Sequence, residues 1–244
     1  MKGIDVSYHQ GKIDWTKVKA DFAILRAGYG KVLSQKDKCF EEYYAGAKAA
    51  GIPVGVYWYS YATTIEGALQ EAQTCLQVIK GKQFEFPIFF DMEEKKQAAL
   101  GKAKCSEIAK AFLSTVEKTG YWVGLYSYKS FLETNISEYV RKRYAVWVAH
   151  TGVKKTTYGS PYGMWQYSHT GNVDGISGDV DLNECYVDYP ALIRKKGLNG
   201  FPIEKYHTVK KGETWESVAG SYGLPVEELL KLNPVPEGTK LKVK

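Results

Sequence analysis

The sequence has no apolar run that approaches the roughly 18 residues of a membrane-spanning helix, so we expect no insertion into a membrane. Cysteine is scarce, and the four cysteines lie far apart with no CxxC pair and no histidine at zinc spacing: Cys39, Cys75, Cys105 and Cys185. We therefore predict buried free thiols rather than a disulfide framework. We also predict no metal and no other cofactor.

Dense clusters of basic residues are also missing, although the net charge is +6 and the sequence pI is about 8.9. The lysines are scattered, and no basic helix is interleaved with aromatic residues, which argues against nucleic acid as a partner. A mild basic excess still favours an anionic partner, such as a membrane surface or an acidic wall polymer. The sequence indicates no oligomeric state.

Aromatic and apolar residues, by contrast, are abundant and occur in short runs. Tyrosine (19 residues) and tryptophan (6 residues) dominate an aromatic content of 14%. Eight apolar runs predict strands that are buried on both faces, as in a parallel sheet. They cover residues 2–8, 22–28, 53–61, 84–93, 121–128, 144–150, 162–168 and 178–184.

Helical patterns separate several of these runs. Residues 38–50, 65–79 and 102–118 have apolar side chains at helical spacing, and Gly51, Gly81 and Gly120 lie where the helices should end. Alternating strands and helices predict an α/β fold with a parallel sheet, here a small (β/α)8-type barrel. The later strands are joined by too little sequence for full helices, so we expect an incomplete outer ring.

The last fifty residues follow a different pattern. A helix over residues 189–195 is predicted to close a barrel domain of residues 1–194, and residues 195–205, with glycine and proline but no periodicity, are predicted to form a linker. Residues 206–244 show a strand, a helix that ends in glycine, a second helix and a closing strand. We predict a small β-α-α-β module there.

Three of the predicted strands carry acids at one end. Asp91 and Glu93 share a face in "FFDMEE", Asp5 ends the first strand in "GIDVS", and Asp181 lies in "VDLN". In a barrel these strands would bring the carboxylates to one rim, where barrel enzymes keep their chemistry. Acids that cap strands in solvent and a divalent-metal site are the alternatives.

Carboxyl groups that share an apolar site move each other's pKa values apart, so one can donate a proton while others stay charged. Glycoside hydrolysis uses such a set. Aromatic residues near the same strand ends predict a sugar groove. These are Tyr57, Tyr59, Tyr126, Trp147 and Trp165.

The motifs "GIDVSYHQGKIDW", "PVGVYWYSY", "FFDMEE", "VWVAH", "MWQYS" and "GDVDLN" resemble the family 25 glycoside hydrolases, from about residue 2 to residue 193. The resemblance implies a flattened, incomplete barrel that cleaves the β-1,4 bond between N-acetylmuramic acid and N-acetylglucosamine in peptidoglycan with retention. Position by position, it implies that Glu93 is the general acid and base, and that Asp91 stabilises an intermediate formed by the substrate's N-acetyl group. Asp5 and Asp181 would orient the sugar.

Residues 206–243 resemble a LysM module, a type that binds chains containing N-acetylglucosamine. The resemblance places its groove between Gly212, Glu213 and Thr214 on one side and Pro236 and Glu237 on the other. The segment 233–238 is shorter than in most such modules, which affects the depth of the groove.

Together these features predict a wall-degrading muramidase, with peptidoglycan, in a Gram-positive wall, as its partner. The start "MKGIDVSYHQ" leads directly into a strand without a signal peptide, so we expect synthesis in the cytoplasm and action at the wall after release, as for a phage or prophage endolysin. The alternatives are a bacterial autolysin of the same chemistry, a chitinase-like enzyme, and a non-catalytic glycan-binding protein.

Overall fold

The computed structural model describes residues 1–203 and 205–234. Its first compact unit is Met1–Ile203, and the described residues from 205 onward belong to a second unit. In the part of the chain so described, every helix is too short or too polar to cross a bilayer.

Eight strands close into a barrel in chain order, which confirms the predicted fold class. The first seven strands pair in parallel, whereas the eighth runs antiparallel to both the seventh and the first. This differs from the all-parallel sheet that we expected, because the short connection before the eighth strand has no room for a parallel crossover of a dozen or more residues. The strands are β1 (Lys2–Val6), β2 (Phe22–Tyr29), β3 (Val54–Tyr59), β4 (Ile88–Asp91), β5 (Val123–Tyr128), β6 (Ala145–Ala149), β7 (Met164–Gly171) and β8 (Val180–Cys185).

The outer ring of helices is incomplete, as the spacing of the strands predicted. Within residues 1–203, no α-helix lies between β1 and β2, between β6 and β7, or between β7 and β8. The three short helices α3, α5 and α6 were not predicted. The helices of this unit are α1 (Phe40–Ala49), α2 (Ile65–Ile79), α3 (Lys95–Ala98), α4 (Gly101–Glu117), α5 (Lys129–Asn135), α6 (Glu138–Arg143) and α7 (Tyr189–Lys196).

Large side chains fill the base of the barrel, which is the end opposite the carboxyl ends of β1 to β7. Phe22, Phe86 and Phe89 are fully buried there. Glycine on neighbouring strands makes room for them, since a Cβ on Gly3 or Gly124 would lie 2.5 Å from the ring of Phe22 or Phe89. The interior is therefore a packed core at its base.

The segment after α7 closes the base of the barrel. Asn199 is fully buried, its side-chain oxygen accepts a hydrogen bond from the backbone N–H of Trp122 at 2.7 Å, and its Nδ2 donates to the carbonyls of Phe84 and Phe86 at 3.0 and 2.8 Å. Phe201 packs against the same interior cluster. Most of the segment 195–205, which we expected to be a linker, is therefore part of the barrel unit.

In the second unit, the two predicted helices are present as α8 (Trp215–Ser221) and α9 (Val226–Leu232). Residues 206–211, predicted as a strand, have no strand assignment in the structure. The predicted closing strand lies outside the described residues.

Replacing Asn199 by alanine should lower the free energy of unfolding of the barrel by about 2–3 kcal/mol, because three buried backbone groups lose their partner. Thermal or denaturant unfolding of the full chain measures the change. Asn172→Ala, at an exposed position, is the control. Equal stability of the two variants would show that the segment after α7 contributes nothing to the barrel.

Candidate active site

The four predicted acids come together at one end of the barrel. Asp5, Asp91, Glu93 and Asp181 all line a cavity of about 260 Å³. Asp5 and Asp91 are only 4% and 3% exposed, so they are not solvated strand caps. Among the described residues, no group of three or more His, Cys, Asp or Glu side chains is arranged to hold a metal ion.

The reversed direction of β8 explains how Asp181 reaches this end. In parallel strands the acids would have to lie at the carboxyl ends, but Asp181 is the second residue of β8. Because β8 runs antiparallel to β1, its beginning lies beside the end of β1, and Asp5 and Asp181 are direct register partners. Glu93 lies two residues beyond the end of β4, in a loop whose preceding residue, Met92, still donates its N–H to the Tyr126 carbonyl of β5.

Two amide side chains hold Asp5. Its Oδ2 accepts hydrogen bonds from Nε2 of Gln166 at 2.9 Å and from Nδ2 of Asn183 at 2.8 Å. Each amide is oriented by an aromatic donor, since the Tyr126 hydroxyl donates to Oε1 of Gln166 and Nε1 of Trp147 donates to Oδ1 of Asn183. Both amides must therefore present their N–H groups to Asp5. We did not identify Gln166 or Asn183 from the sequence.

Burial raises the pKa of all four acids. For Asp5 it raises the pKa well above the usual range, and the charge of Asp181 raises it further, against the two amide hydrogen bonds that lower it. The pKa of Asp181 is also raised by burial, although its hydrogen bond with Asp5 opposes the rise. The two facing acids therefore favour a state in which Asp5 keeps a proton and shares it with Asp181.

Asp91 and Glu93 form the second acidic pair. Burial raises the pKa of Asp91 well above its usual range, the charges of Glu93 and Asp5 add to the rise, and Arg26 lowers it. Among the described residues, no donor reaches Oδ1 of Asp91. Burial, followed by the charges of Glu94 and Asp181, raises the pKa of Glu93. Glu93 is less buried than Asp91 and is the more accessible carboxyl of the pair.

Arg26 is the cation of this site, and our sequence analysis did not identify it. Its Nε donates to Oδ2 of Asp37 at 2.8 Å, and its guanidinium carbon lies 4.7 Å from the ring centroid of Tyr8. Arg26 lines the cavity beside the acids. The alternation of inward side chains from Phe22 and Ile24 to Arg26 along β2 was the signal that could have found it.

Four of the five predicted aromatic residues line the cavity: Tyr57, Tyr59, Tyr126 and Trp147. Trp165 does not line it. Its ring is buried in a second apolar cluster, which includes the residues between the sheet and the helices. Its Nε1 donates to the carbonyl of His150 at 2.9 Å. Side chains alternate along β7, so Gln166 faces the acids and Trp165 faces the opposite side.

The predicted binding residues of the second unit are described in part. Gly212, Glu213 and Thr214 form the turn before α8, where Oγ1 of Thr214 accepts a hydrogen bond from the N–H of Ser217 and caps the helix. Oε2 of Glu213 accepts from the N–H of Lys210 at 2.7 Å. Pro236 and Glu237 lie outside the described residues, so the other side of the expected groove is not described.

Asp91→Asn should stabilise the fold at neutral pH by about 0.5–2 kcal/mol, because it removes a buried carboxyl that lies among like charges. Because the pKa of Asp91 in the folded state lies above the value of about 3.8 that applies to the unfolded chain, ionisation of this carboxyl lowers the free energy of unfolding as pH rises. The gain in melting temperature should therefore be largest at neutral pH and vanish near pH 4.

Melting curves from pH 4 to pH 8 measure this difference, and Asp174→Asn, at an exposed position, is the control. A variant that is less stable than the parent at neutral pH would contradict the electrostatic account of this site.

Comparisons with known proteins agree with this geometry. Residues 4–176 match the profile of glycosyl hydrolases family 25, and residues 207–244 match that of the LysM domain. The chain is 32% identical over 189 residues to the autolytic lysozyme of Clostridium acetobutylicum, which covers 75% of this chain and 55% of that protein. The chain thus spans about half the length of this relative.

Solved structures show the same barrel. The bacterial lysozyme from Streptomyces coelicolor superposes with a TM-score of 0.66 at 27% identity, covering 79% of this chain and 95% of that one. The catalytic domain of endolysin ply40 from bacteriophage P40 of Listeria monocytogenes gives a TM-score of 0.63 at 26% identity, covering 81% and 97%. The family profile matches well over half of the chain, and this protein therefore belongs to glycosyl hydrolases family 25, with a LysM domain after the barrel.

Proposed function

We propose that this protein hydrolyses the β-1,4 bond between N-acetylmuramic acid and N-acetylglucosamine in peptidoglycan, with retention of configuration. The observation that carries the proposal is the convergence of Asp5, Asp91, Glu93 and Asp181 on one cavity with aromatic walls. Family membership and the lysozyme relatives support the choice of substrate.

Glu93 is the general acid in this proposal. It is the carboxyl of the Asp91–Glu93 pair that a polymeric substrate can reach, and its raised pKa favours the protonated form that a proton donor needs. Glu93 donates its proton to the glycosidic oxygen while the bond from that oxygen to the anomeric carbon breaks. The resulting carboxylate then accepts a proton from the water that attacks in the second step.

The first step needs a nucleophile, and we propose the carbonyl oxygen of the substrate's own N-acetyl group. It forms a bond to the anomeric carbon and gives a cyclic oxazolinium-like intermediate, and water then opens that ring from the opposite face. Two inversions give net retention. Asp91, whose Oδ1 has no donor among the described residues, stabilises the positive charge of the intermediate.

Asp5 and Asp181 hold and orient the sugar rather than transfer the proton. The two amide donors and the shared proton fix Asp5, while Asp181 is less buried than Asp5 and is available to sugar hydroxyls. Tyr57, Tyr126 and Trp147 provide apolar faces around the bound sugar.

The LysM domain in this proposal binds the N-acetylglucosamine-containing chain and keeps the barrel on the wall. The net charge of +6 supports an anionic, Gram-positive wall as the target. For the biological setting we propose a phage or prophage endolysin, made in the cytoplasm and released to the wall. Similarity to the endolysin of bacteriophage P40 supports that setting, and the autolytic relative supports the alternative of a bacterial autolysin.

Digestion of purified peptidoglycan should release fragments whose reducing ends carry muramic acid, as mass spectrometry of the products can show. The first anomer seen by proton NMR should be β, because the proposed route retains configuration. Reducing-end glucosamine would indicate a glucosaminidase, and an α anomer would exclude the N-acetyl route.

Glu93→Gln should lower turnover by about 10²–10⁴-fold, since the amide cannot donate a proton and then accept one. Glu133→Gln, on α5 and away from the cavity lining, is the matched control. Turnover near that of the parent in Glu93→Gln would remove Glu93 from the mechanism, and with it the proposed function.

Ending the chain after Ile203 should leave the barrel folded and active on soluble glycan fragments, because Asn199 and Phe201 are retained. The shortened chain should sediment less with insoluble walls than the full chain does. Equal sedimentation of both chains would show that the LysM domain adds no wall affinity. Ending the chain after Lys196 is the control that should unfold the barrel.

A further inference from the structure

A buried carboxyl outside the cavity has no role in the chemistry described so far. Glu71 lies on α2 and is only 2% exposed. Its Oε2 accepts a hydrogen bond from the hydroxyl of Ser60 at 2.7 Å, and its Oε1 accepts one from the backbone N–H of Tyr61 at 2.9 Å. Glu71 therefore holds the turn that follows β3.

Gln97 of α3 binds the same turn from the other side. It is fully buried, and its Nε2 donates to Oγ of Ser60 at 3.0 Å and to the carbonyl of Ala62 at 3.1 Å. Its Oε1 accepts a hydrogen bond from the N–H of Glu94 at 3.2 Å. Gln97 thus links the turn after β3 to the residue that follows Glu93.

The segment that carries Glu93 is attached to this turn at both of its ends. On one side, the N–H of Ser60 donates to the carbonyl of Asp91 at 2.9 Å. On the other side, Glu94 is held by Gln97 and by the Tyr59 hydroxyl, which donates to Oε1 of Glu94 at 2.7 Å. Glu93 lies beyond the last residue of β4, so these attachments set its place together with β5, whose Tyr126 carbonyl accepts a hydrogen bond from the N–H of Met92 at 3.1 Å.

We propose that Glu71 is a positioning residue for Glu93: its carboxylate fixes residues 60–62 and, through Ser60 and Gln97, the segment that presents the general acid to the substrate. The proposal rests on the function proposed for Glu93.

The network requires Glu71 to be charged. Oγ of Ser60 already faces two donors, Nε2 of Gln97 and the N–H of Ala62, so its own proton must go to Glu71. A carboxylate accepts from both Ser60 and Tyr61, whereas a protonated carboxyl or a glutamine amide places a donor against one of them. Losing the charge of Glu71 therefore breaks one hydrogen bond in the turn.

This requirement makes the network sensitive to pH near neutrality. Burial raises the pKa of Glu71 to about 7, although hydrogen bonds from Ser60 and Tyr61 and the charge of Lys31 lower it. Other titratable groups that face this network include the buried thiol of Cys75, one turn along α2, and that of Cys105 of α4, which donates to the carbonyl of Gln97. The Tyr59–Glu94 pair faces it from the end of β3 and the loop after β4. Below pH 7, the turn should loosen and Glu93 should lose its alignment.

Glu71→Gln tests the proposal, with Glu66→Gln as the matched control, since Glu66 lies on the same helix and is exposed. At pH 8, kcat on peptidoglycan should fall about 10- to 100-fold in Glu71→Gln, with KM changed less than twofold, because misplacement of a catalytic group has this cost. The ratio of parent to variant kcat should approach one near pH 5, where the parent's Glu71 is also neutral.

A second readout does not depend on the substrate. Carboxyl carbon NMR of labelled glutamates, with the Glu93 signal assigned by its absence in Glu93→Gln, should show a shifted titration of Glu93 in Glu71→Gln but not in Glu66→Gln. If the parent does not cleave peptidoglycan, the proposed function fails while this titration still tests the positioning role. Should Glu71→Gln not fold, Ser60→Ala takes its place with the same expected results.

A kcat ratio that stays constant from pH 5 to pH 8 would assign Glu71 a merely structural role and overturn the proposal. An unchanged Glu93 titration in Glu71→Gln would overturn it as well.

Discussion

The placement of four carboxyl groups in a small, largely buried mouth is the constraint on which the rest of this structure depends. Burial raises the pKa of each acid, and like charges nearby raise it further in all four. Such a cluster is unfavourable for folding. It persists because hydrogen-bond donors and the Arg26 guanidinium face it, and because a closed sheet fixes the positions of the strands that carry it. The burial and like charges that make this cluster unfavourable for folding are also what raise the pKa values that a proton donor needs.

The base of the barrel interior and the cavity above it contain different kinds of side chain. At the base of the barrel, phenylalanine rings and the glycines beside them form a packed core. Above this base, Tyr126 and Trp147 have two roles: their rings wall the cavity, and their polar atoms orient Gln166 and Asn183 toward Asp5. The site is thus preorganised by groups that are themselves locked in a packed core, which is the arrangement that electrostatic catalysis requires.

Glu93 differs from the other acids because it lies outside the strands, two residues after β4 ends. A side chain on a loop needs neighbours that hold it in place, and here the buried polar residues behind the loop do so. Ser60, Glu71 and Gln97 are buried polar groups that would be costly if unpaired, yet Glu71 and Gln97 both hydrogen-bond to the Ser60 hydroxyl. In the proposal made above, the charge of Glu71, which lies outside the cavity lining, controls the alignment of Glu93.

The sequence by itself determined the barrel, its incomplete helical ring, the family and the acids, because apolar runs, helical spacing and the motif around Asp91 are local patterns. Tertiary structure alone decided the direction of β8, which brings Asp181 beside Asp5, and the docking of Asn199 in a segment with no periodicity. The alternation of side chains along β2 could have predicted that Arg26 faces the cavity, and the alternation along β7 places Trp165 on the opposite side of the sheet. The local sequence pattern indicates whether a side chain is buried. The partner against which it packs depends on contacts between distant segments, and only the closed fold specifies those contacts.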